Sequence, residues 1–117
     1  MPILIPFMTN MNKLFFGDIV LLKFPFTDGT TFKKRPALVI KDTNGGDIVV
    51  CRITSKIYKT DNDIYLEDWG KCGLKLPSVV RVHKIATIES DLVDLKMGKA
   101  DIMDMEKVRI LIAKLPE

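Results

Sequence analysis

Cysteine and histidine, the usual ligands of structural zinc, are scarce in this sequence. Its 117 residues include two cysteines and one histidine, whereas a structural zinc site needs about four ligands at close spacing. The cysteines, Cys51 and Cys72, do not form a C-x-x-C pair. The sequence therefore predicts no metal site and no cofactor. Two isolated cysteines also favour a reduced, cytoplasmic protein over a disulfide-linked secreted one.

Long apolar runs are also missing, because no stretch approaches the roughly 18–20 apolar residues that cross a bilayer. The opening residues 1–8 are apolar, but they lack a basic leader and are interrupted by Pro6, so they do not indicate a secretory signal. The in-frame Met8 and Met11 indicate a start codon assigned too early. We expect residues 1–13 to be a loosely held extension and residues 14–117 to form one domain, with no membrane partner.

The net charge of +3 is small, but its distribution is uneven. Residues 1–88 contain thirteen Lys/Arg and eight Asp/Glu, whereas residues 89–117 contain five and seven. A basic body with an acidic C-terminal segment suits an anionic ligand bound by the body. On charge alone, ordinary solvated faces explain the same pattern equally well.

The middle of the chain predicts short β-strands separated by turns. Runs rich in β-branched and apolar residues alternate with glycine, proline and Asn-Gly signals. Asn44-Gly45 lies between two such runs and predicts a hairpin, because both residues tolerate positive φ. We predict a loop over residues 68–77 and strands over residues 18–24, 37–40, 48–53, 63–67, 78–82 and 84–88.

The C-terminal segment predicts a helix. Met105, Val108, Ile112 and Leu115 fall three or four positions apart and therefore share one helix face. Asp101 is suited to the N-cap position. Short strands followed by one helix predict a mainly β (α+β) protein: a small, partly open antiparallel β-barrel with a C-terminal helix.

The first candidate binding segment is the loop over residues 27–36, in which Lys33, Lys34 and Arg35 precede Pro36. The planar guanidinium of arginine can bind a phosphate through two hydrogen bonds and stays charged at physiological pH. Proline restricts the residue before it to extended geometry, which helps to aim Arg35. Taken alone, this run is explained more simply as a solvated basic loop.

The second candidate is Thr54-Ser55-Lys56, where an apolar strand ends in two hydroxyls and a cation. A hydroxyl can donate a hydrogen bond to a phosphate oxygen, and the lysine adds positive charge. Taken alone, these residues are explained much more simply as an ordinary polar strand terminus. Two phosphate-binding strand ends on one small barrel nevertheless favour a phosphodiester ligand.

Several short motifs occur in the order and spacing of the MazF/PemK toxins, which this chain resembles from Gly17 to Leu115. They are Gly17–Val20, Phe24–Asp28, Arg35–Ile40, Ile53–Ser55, Pro77–Val80 and Ile85–Ile88. The resemblance implies an SH3-like, partly open barrel, a homodimer, and sequence-selective cleavage of single-stranded RNA without a metal ion. It also implies inhibition by a cognate antitoxin, as in type II toxin–antitoxin systems.

The resemblance also implies roles for individual residues. Arg35 and Thr54 match the catalytic pair of the family. Attack by the ribose 2′-hydroxyl would leave a 2′,3′-cyclic phosphate and a 5′-hydroxyl end, and DNA would survive because it lacks that hydroxyl. The remaining candidate RNA-binding residues are Thr27, Asp28, Lys33, Lys34, Ser55, Lys56 and Tyr58.

The sequence departs from the family in two places. Thr30-Thr31-Phe32 replaces a Ser-Glu-Gln found in many members, so a glutamate credited with acid–base help is missing, and Ala86 stands where many members have arginine. The identity of a proton carrier therefore stays open among four unranked residues: Asp18, Asp28, Glu67 and His83. We expect His83 to lie in a turn or to be partly exposed between two strands.

Two other functional classes fit parts of the sequence. Related barrels of the CcdB type poison DNA gyrase through the end of the C-terminal helix, but the Arg35-Pro36 and Ile53–Ser55 motifs argue against that class. A catalytically inactive module that binds RNA or an antitoxin is the other class. It is favoured by the missing glutamate and by Ala86.

Overall fold

The computed structural model describes residues 13–25 and 32–115, which form one antiparallel sheet and a C-terminal helix. The strands are β1 Asp18–Pro25, β2 Phe32–Asp42, β3 Asp47–Thr54, β4 Asp63–Tyr65, β5 Val79–Glu89 and β6 Val93–Lys99. A 3₁₀ turn over Ser90–Leu92 joins β5 to β6, and helix α1 spans Ile102–Ala113. The strand order is β4-β5-β3-β2-β1-β6, and the sheet is not closed. The predicted fold class is confirmed.

The hairpin between β2 and β3 forms where the Asn-Gly signal predicts it. Asn44 has a φ of 64° and Gly46 a φ of 96°, which places both in the left-handed region. The Asp42 carboxylate accepts a hydrogen bond from the Asn44 amide at 2.9 Å, and two backbone hydrogen bonds from this turn and Leu14 lower the pKa of Asp42. The turn therefore fixes the register that brings the far ends of β2 and β3 together.

The sheet buries apolar residues on both faces, because successive side chains of a strand point to opposite sides. One core, on the helix side, contains Ile19, Leu38 and Val108 among its fully buried members. The other core contains Val20, Leu22, Ala37, Val39, Ile48 and Val50. Adjacent positions such as Ile19 and Val20 belong to different cores, which explains why β1 is apolar on both faces.

Helix α1 begins as the sequence predicts. The Asp101 carboxylate accepts a hydrogen bond from the Met103 amide at 3.2 Å, which satisfies one free donor of the first turn. The predicted apolar face of Met105, Val108, Ile112 and Leu115 packs on the helix-side core. Gly17 has a φ of 93°, which favours glycine, and a Cβ there would lie 2.6 Å from the end of the Met105 side chain.

The predicted strands 78–82 and 84–88 form one continuous strand, β5, so placing His83 between two strands was wrong. The β3–β5 pairing jumps from Cys51 opposite Ile85 to Arg52 opposite Arg81. Residues 82–84 therefore form a bulge within the strand, which re-aims the side chains that follow. His83 is half-buried in this bulge.

Other element boundaries also differ from the prediction. Strand β6, which pairs with β1, was missed although its apolar residues alternate with Asp94, Lys96 and Gly98, the pattern typical of a strand. Charged residues of this kind are common on edge strands, where they discourage pairing with other chains. β2 begins at Phe32, before the predicted start, and β4 ends at Tyr65. Within the described residues, no helix has both the length and the apolar character to cross a membrane.

Candidate functional site

The far ends of β2 and β3 bring the two central candidate residues together. The last pair of this ladder joins Ala37 to Arg52. Continuing the same register for two residues sets Arg35 opposite Thr54, and directly opposed residues of antiparallel strands are close neighbours. Both residues line one cleft of about 430 Å³, which we call the main cleft. Its lining also includes Leu21, Pro36, Arg52, Ser55, Lys56, Lys75, Leu76, Ser78 and Met97.

The described lining of the main cleft carries positive charge. Arg35, Arg52, Lys56 and Lys75 all line it, and none of its lining residues within 13–25 and 32–115 is acidic. The Ser78 hydroxyl donates to the Leu76 carbonyl at 2.9 Å, so its hydrogen is already used within the protein. Like charges held together without counter-charges attract an anion and repel one another. The arrangement therefore fits a phosphate-bearing ligand.

The Thr54 hydroxyl is oriented by the turn that follows β3. The Lys56 amide donates a hydrogen bond to Thr54 Oγ1 at 3.2 Å. A hydroxyl has one hydrogen to donate and two lone pairs. Because the amide takes a lone pair, the O–H of Thr54 stays available for an acceptor in the main cleft. Thr54 can therefore act as a hydrogen-bond donor to a phosphate oxygen.

A second depression of about 370 Å³, which we call the side cleft, adjoins the main cleft. The two clefts share Arg35, Pro36 and Arg52. The rest of the side cleft is lined by Leu22, Ala37, Val50, Lys84, Ile85 and Ala86. It is therefore an apolar surface bordered by three cations, of which Lys84 is the last residue of the β5 bulge.

A compact ion-pair cluster lies behind the turn that bears Lys56. Arg81 Nε lies 2.8 Å from Asp63 Oδ1, and the guanidinium carbon is 3.6 Å from the centroid of the Tyr58 ring. Burial alone would raise the pKa of Asp63, but hydrogen bonds from Thr60 and Arg81 outweigh it and lower this pKa. Lys56 Nζ lies 5.0 Å from the centroid of the same Tyr58 ring. We call Arg81, Asp63, Thr60 and Tyr58 the paired cluster.

A model of the PemK-like, MazF-like toxins of type II toxin–antitoxin systems matches residues 16–115. The chain belongs to this family. The resemblance inferred from the sequence motifs is therefore confirmed. No curated relative matches the sequence.

Solved structures of other proteins share the fold. An endoribonuclease from a mycobacterial species, in complex with its cognate antitoxin, superposes with a TM-score of 0.71 at 15% identity, over 89% of this chain and 95% of that one. The Mycobacterium tuberculosis toxin MazF-mt6 has a TM-score of 0.69 at 19% identity, over 84% and 94% of the two chains. A MazE–MazF structure from Deinococcus radiodurans gives 0.68 at 21% identity, over 85% and 89%.

Four of the candidate residues meet in the main cleft of this PemK/MazF-family chain: Arg35, Thr54, Ser55 and Lys56. The others are placed differently. Lys33 is exposed and does not line either cleft, and Lys34 forms a salt bridge of 3.0 Å with Asp94. Tyr58 belongs to the paired cluster. Thr27 and Asp28 lie outside the described residues.

The candidate proton carriers do not line either cleft where the structure describes them. Asp18 is fully buried, and its carboxylate forms salt bridges with Lys96 at 3.1 Å and Lys99 at 3.5 Å. These salt bridges indicate a structural role. Glu67 is exposed on the loop after β4, and His83 Nδ1 is buried with no hydrogen-bond partner among the described residues. Asp28 lies outside those residues. The described part also holds no cluster of three metal-binding side chains.

Three cleft residues were missed by the sequence reasoning: Arg52, Lys75 and Lys84. Arg52 had a readable signal, because it lies two residues before Thr54 on the same strand and shares its face. Lys75 lies on the loop between β4 and β5, and Lys84 is the last residue of the β5 bulge. Both positions depend on tertiary folding, so no local pattern identifies them.

Proposed function

We propose that this PemK/MazF-family toxin is a metal-independent, sequence-selective endoribonuclease that acts on single-stranded RNA in the cytoplasm. The observation that carries the proposal is the meeting of Arg35 and Thr54 in a cleft whose described lining includes four cations and no acidic residue. An endoribonuclease of the same fold from a mycobacterial species supports it. The charge of the cleft fits the RNA backbone, and its donors fit a phosphate.

In the proposed reaction, the 2′-hydroxyl oxygen attacks the adjacent phosphorus and the bond to the 5′-oxygen breaks. The 2′-hydroxyl loses its proton and the departing 5′-oxygen gains one, so the products are a 2′,3′-cyclic phosphate and a 5′-hydroxyl end. Negative charge grows on the non-bridging oxygens during attack. Arg35 neutralises that charge and Thr54 donates a hydrogen bond to it, which stabilises the transition state. Arg52, Lys56 and Lys75 hold neighbouring phosphates.

The proposal includes two protein partners: a cognate antitoxin and a second copy of the chain. Structures of similar proteins include complexes between toxin and antitoxin. On this chain, α1 begins with Ile102 and Met103, whose side chains are 79% and 70% exposed. Exposed apolar side chains of this size are common at protein interfaces. Analytical ultracentrifugation of the free protein and of its mixture with the antitoxin would test both partners.

The deciding experiment is incubation of long single-stranded RNA with pure protein in EDTA. We expect discrete fragments from the wild type and none from Arg35→Ala. Arg109→Ala is the matched control, because Arg109 is an exposed arginine outside both clefts. Circular dichroism confirms that each variant is folded. A folded Arg35→Ala protein that cleaves RNA at the wild-type rate would contradict the proposal.

The second candidate function is an inactive module that binds RNA without cutting it. It is favoured by the described lining of the main cleft, in which no carboxylate or imidazole is available to carry a proton. The same experiment distinguishes the two functions. RNA that stays intact but is retarded in a native gel by the wild type, and not by Arg35→Ala, would favour the binding module.

A further inference from the structure

The side cleft has a chemical character that differs from that of the main cleft. Its apolar lining includes Ile85, which is 40% exposed, together with Ala86 and Val50. Contact with such an apolar surface does not stabilise a bound phosphate, whereas it stabilises the bound face of a nucleobase. Guanidinium groups also stack on bases, and Arg35 and Arg52 border the cleft. The shape and lining therefore fit a base more closely than a second phosphate.

The position of the side cleft relates that base to the scissile phosphate. Arg35 and Arg52 line both clefts, so a ligand that contacts Arg35 from the main cleft ends at the border of the side cleft. A nucleotide next to the bound phosphate can place its base across this border. The volume of about 370 Å³ lies within the usual range of about 300–1,000 Å³ for small-ligand sites.

Among the residues that the structure describes, the hydrogen-bonding side chains of the side cleft are all donors. Arg35, Arg52 and Lys84 carry no acceptor, and the other lining side chains are apolar. A base that presents a keto oxygen, such as guanine O6 or uracil O4, can accept from these groups. The amino groups of adenine and cytosine are donors themselves and would find no acceptor among these side chains.

We propose that the side cleft binds the nucleobase adjacent to the scissile phosphate and selects guanine or uracil over adenine or cytosine. This inference rests on the proposed function, because it takes RNA as the ligand of the main cleft. It assigns Lys84 and Arg52 to base selection and makes Ala86 part of the surface against which the base packs. The departure from the family at Ala86 then has a consequence, since a small side chain leaves room for the base.

The test measures binding separately from cleavage. Uniformly 2′-fluoro oligonucleotides lack the attacking hydroxyl, so fluorescence anisotropy reports affinity alone. We expect oligo-U to bind about tenfold more tightly than oligo-C, the range that one specific base contact gives. Replacing adenine by hypoxanthine, which exchanges the 6-amino group for a keto group, should tighten binding similarly. Equal affinity within both pairs, or a preference for cytosine and adenine, would overturn the inference.

Two variants and one control locate the preference. Lys84→Met removes a donor, and Ala86→Phe fills the cleft, so both should reduce the ratio of oligo-U to oligo-C affinity towards one. Lys41→Met is the control, because Lys41 is exposed on β2 and lines neither cleft. A preference that persists in both variants would overturn the assignment to this cleft.

Mapping the ends of wild-type cleavage products separates this inference from the proposed function. Cleavage beside guanine or uracil supports both, and cleavage with no base preference keeps the ribonuclease and overturns the inference. If natural RNA stays intact but the binding assay shows a preference for keto bases, the proposed ribonuclease activity is contradicted and the base-binding site is supported.

Discussion

Two arginines directly opposite each other in the β3–β5 ladder serve different purposes. Arg52 pairs in register with Arg81. The Arg81 side chain is 12% exposed, bonds to Asp63 and stacks on Tyr58 within the paired cluster. Arg52 is exposed, lines both clefts, and has no salt bridge within residues 13–25 and 32–115. Neighbouring positions on one sheet thus separate a structural arginine from one that is available to a ligand.

The difference shows how this small domain divides its charged residues. In the paired cluster, the opposite charges of Arg81 and Asp63 are in contact, so both charges are balanced by groups of the protein itself. In the main cleft, Arg35, Arg52, Lys56 and Lys75 lie together with no carboxylate among the other lining residues that the structure describes, so their mutual repulsion opposes folding until an anion binds. Sites that bind ligands often retain destabilising features of this kind. The comparison predicts that substitutions in the cluster affect stability and substitutions in the cleft affect activity.

The largest effect is expected for Asp63→Asn, which leaves the Arg81 charge buried without its partner. Breaking a buried pair costs about 3–5 kcal/mol, and Asp63 is 1% exposed. Urea unfolding at pH 7 measures the loss, with the exposed neighbour Asp61→Asn as the control. A loss below about 1 kcal/mol, the range of surface pairs, would mean that the paired cluster is not a structural unit.

The pH dependence of the same variant gives an independent check. The folded state lowers the pKa of Asp63, so the stabilisation is present above the unfolded value of about 3.9 and is lost as pH falls through the lower folded value. The difference in stability between wild type and Asp63→Asn should therefore shrink as the pH is lowered below about 4. A difference that does not change in that window would assign the stabilisation to packing.

A smaller effect, confined to the rate, is expected for Thr54→Val. Removing one donor that stabilises a charged transition state lowers kcat about 10²- to 10³-fold. Thr54 is half-buried at a strand end, so the melting temperature should stay close to that of the wild type. Thr54→Ser keeps the hydroxyl and should keep most of the activity. A folded Thr54→Val protein with the wild-type kcat would contradict the expectation that substitutions in the main cleft affect activity.

Much of the fold follows from local sequence patterns. The Asn44 turn, the apolar runs of β1 to β3 and the helix face around Val108 are all readable, because each reflects a short-range preference. Strand β6 was readable from its alternation but was not predicted, whereas its pairing with β1 at the sheet edge is visible only in the structure. The bulge at residues 82–84 is also hidden, because only the β3–β5 pairing reveals it.

The candidate site divides in the same way. Family motifs mark Arg35 and Thr54, and both line the main cleft, but their catalytic role stays a prediction. The placement of Lys34 could not be predicted, because its salt bridge requires Asp94 of the unpredicted β6. Lys75 enters the main cleft through a loop whose path depends on the whole domain. Sequence motifs therefore point to the proposed reacting centre more readily than to the charges around it.

A buried carboxylate without a partner provides a third case beside the cleft and the cluster. Asp104 on α1 is 3% exposed, and its Oδ2 has no hydrogen-bond partner among the described residues. Burial raises the pKa of Asp104; Asp101, Glu67 and Asp68 raise it further, against an opposing effect of Lys107. A raised folded pKa gives stability that is present below the unfolded value, about 3.9, and lost as pH rises through the folded value.

Asp104→Asn removes this charge and should therefore stabilise the protein at neutral pH by about 1 kcal/mol, the lower range for relieving an unsatisfied buried group. The stability difference from wild type should vanish as the pH approaches 4. Urea unfolding at several pH values measures it, and Asp91→Asn on the exposed 3₁₀ turn is the control. A variant less stable than wild type at pH 7 would show that the Asp104 charge has a partner outside the described residues.

The smallest effect concerns the salt dependence of RNA binding. Its slope reflects the number of cationic side chains that contact phosphates. For single-stranded nucleic acid, each phosphate contact contributes about 0.7 to the slope of log K against log salt concentration. Lys56→Met and Lys75→Met should each lower the slope by about this amount, because both residues line the main cleft. Lys34→Met should leave it unchanged, because Lys34 already pairs with Asp94. A lower slope for Lys34→Met would show that RNA displaces Asp94 and would extend the RNA-binding surface beyond the cleft towards β6.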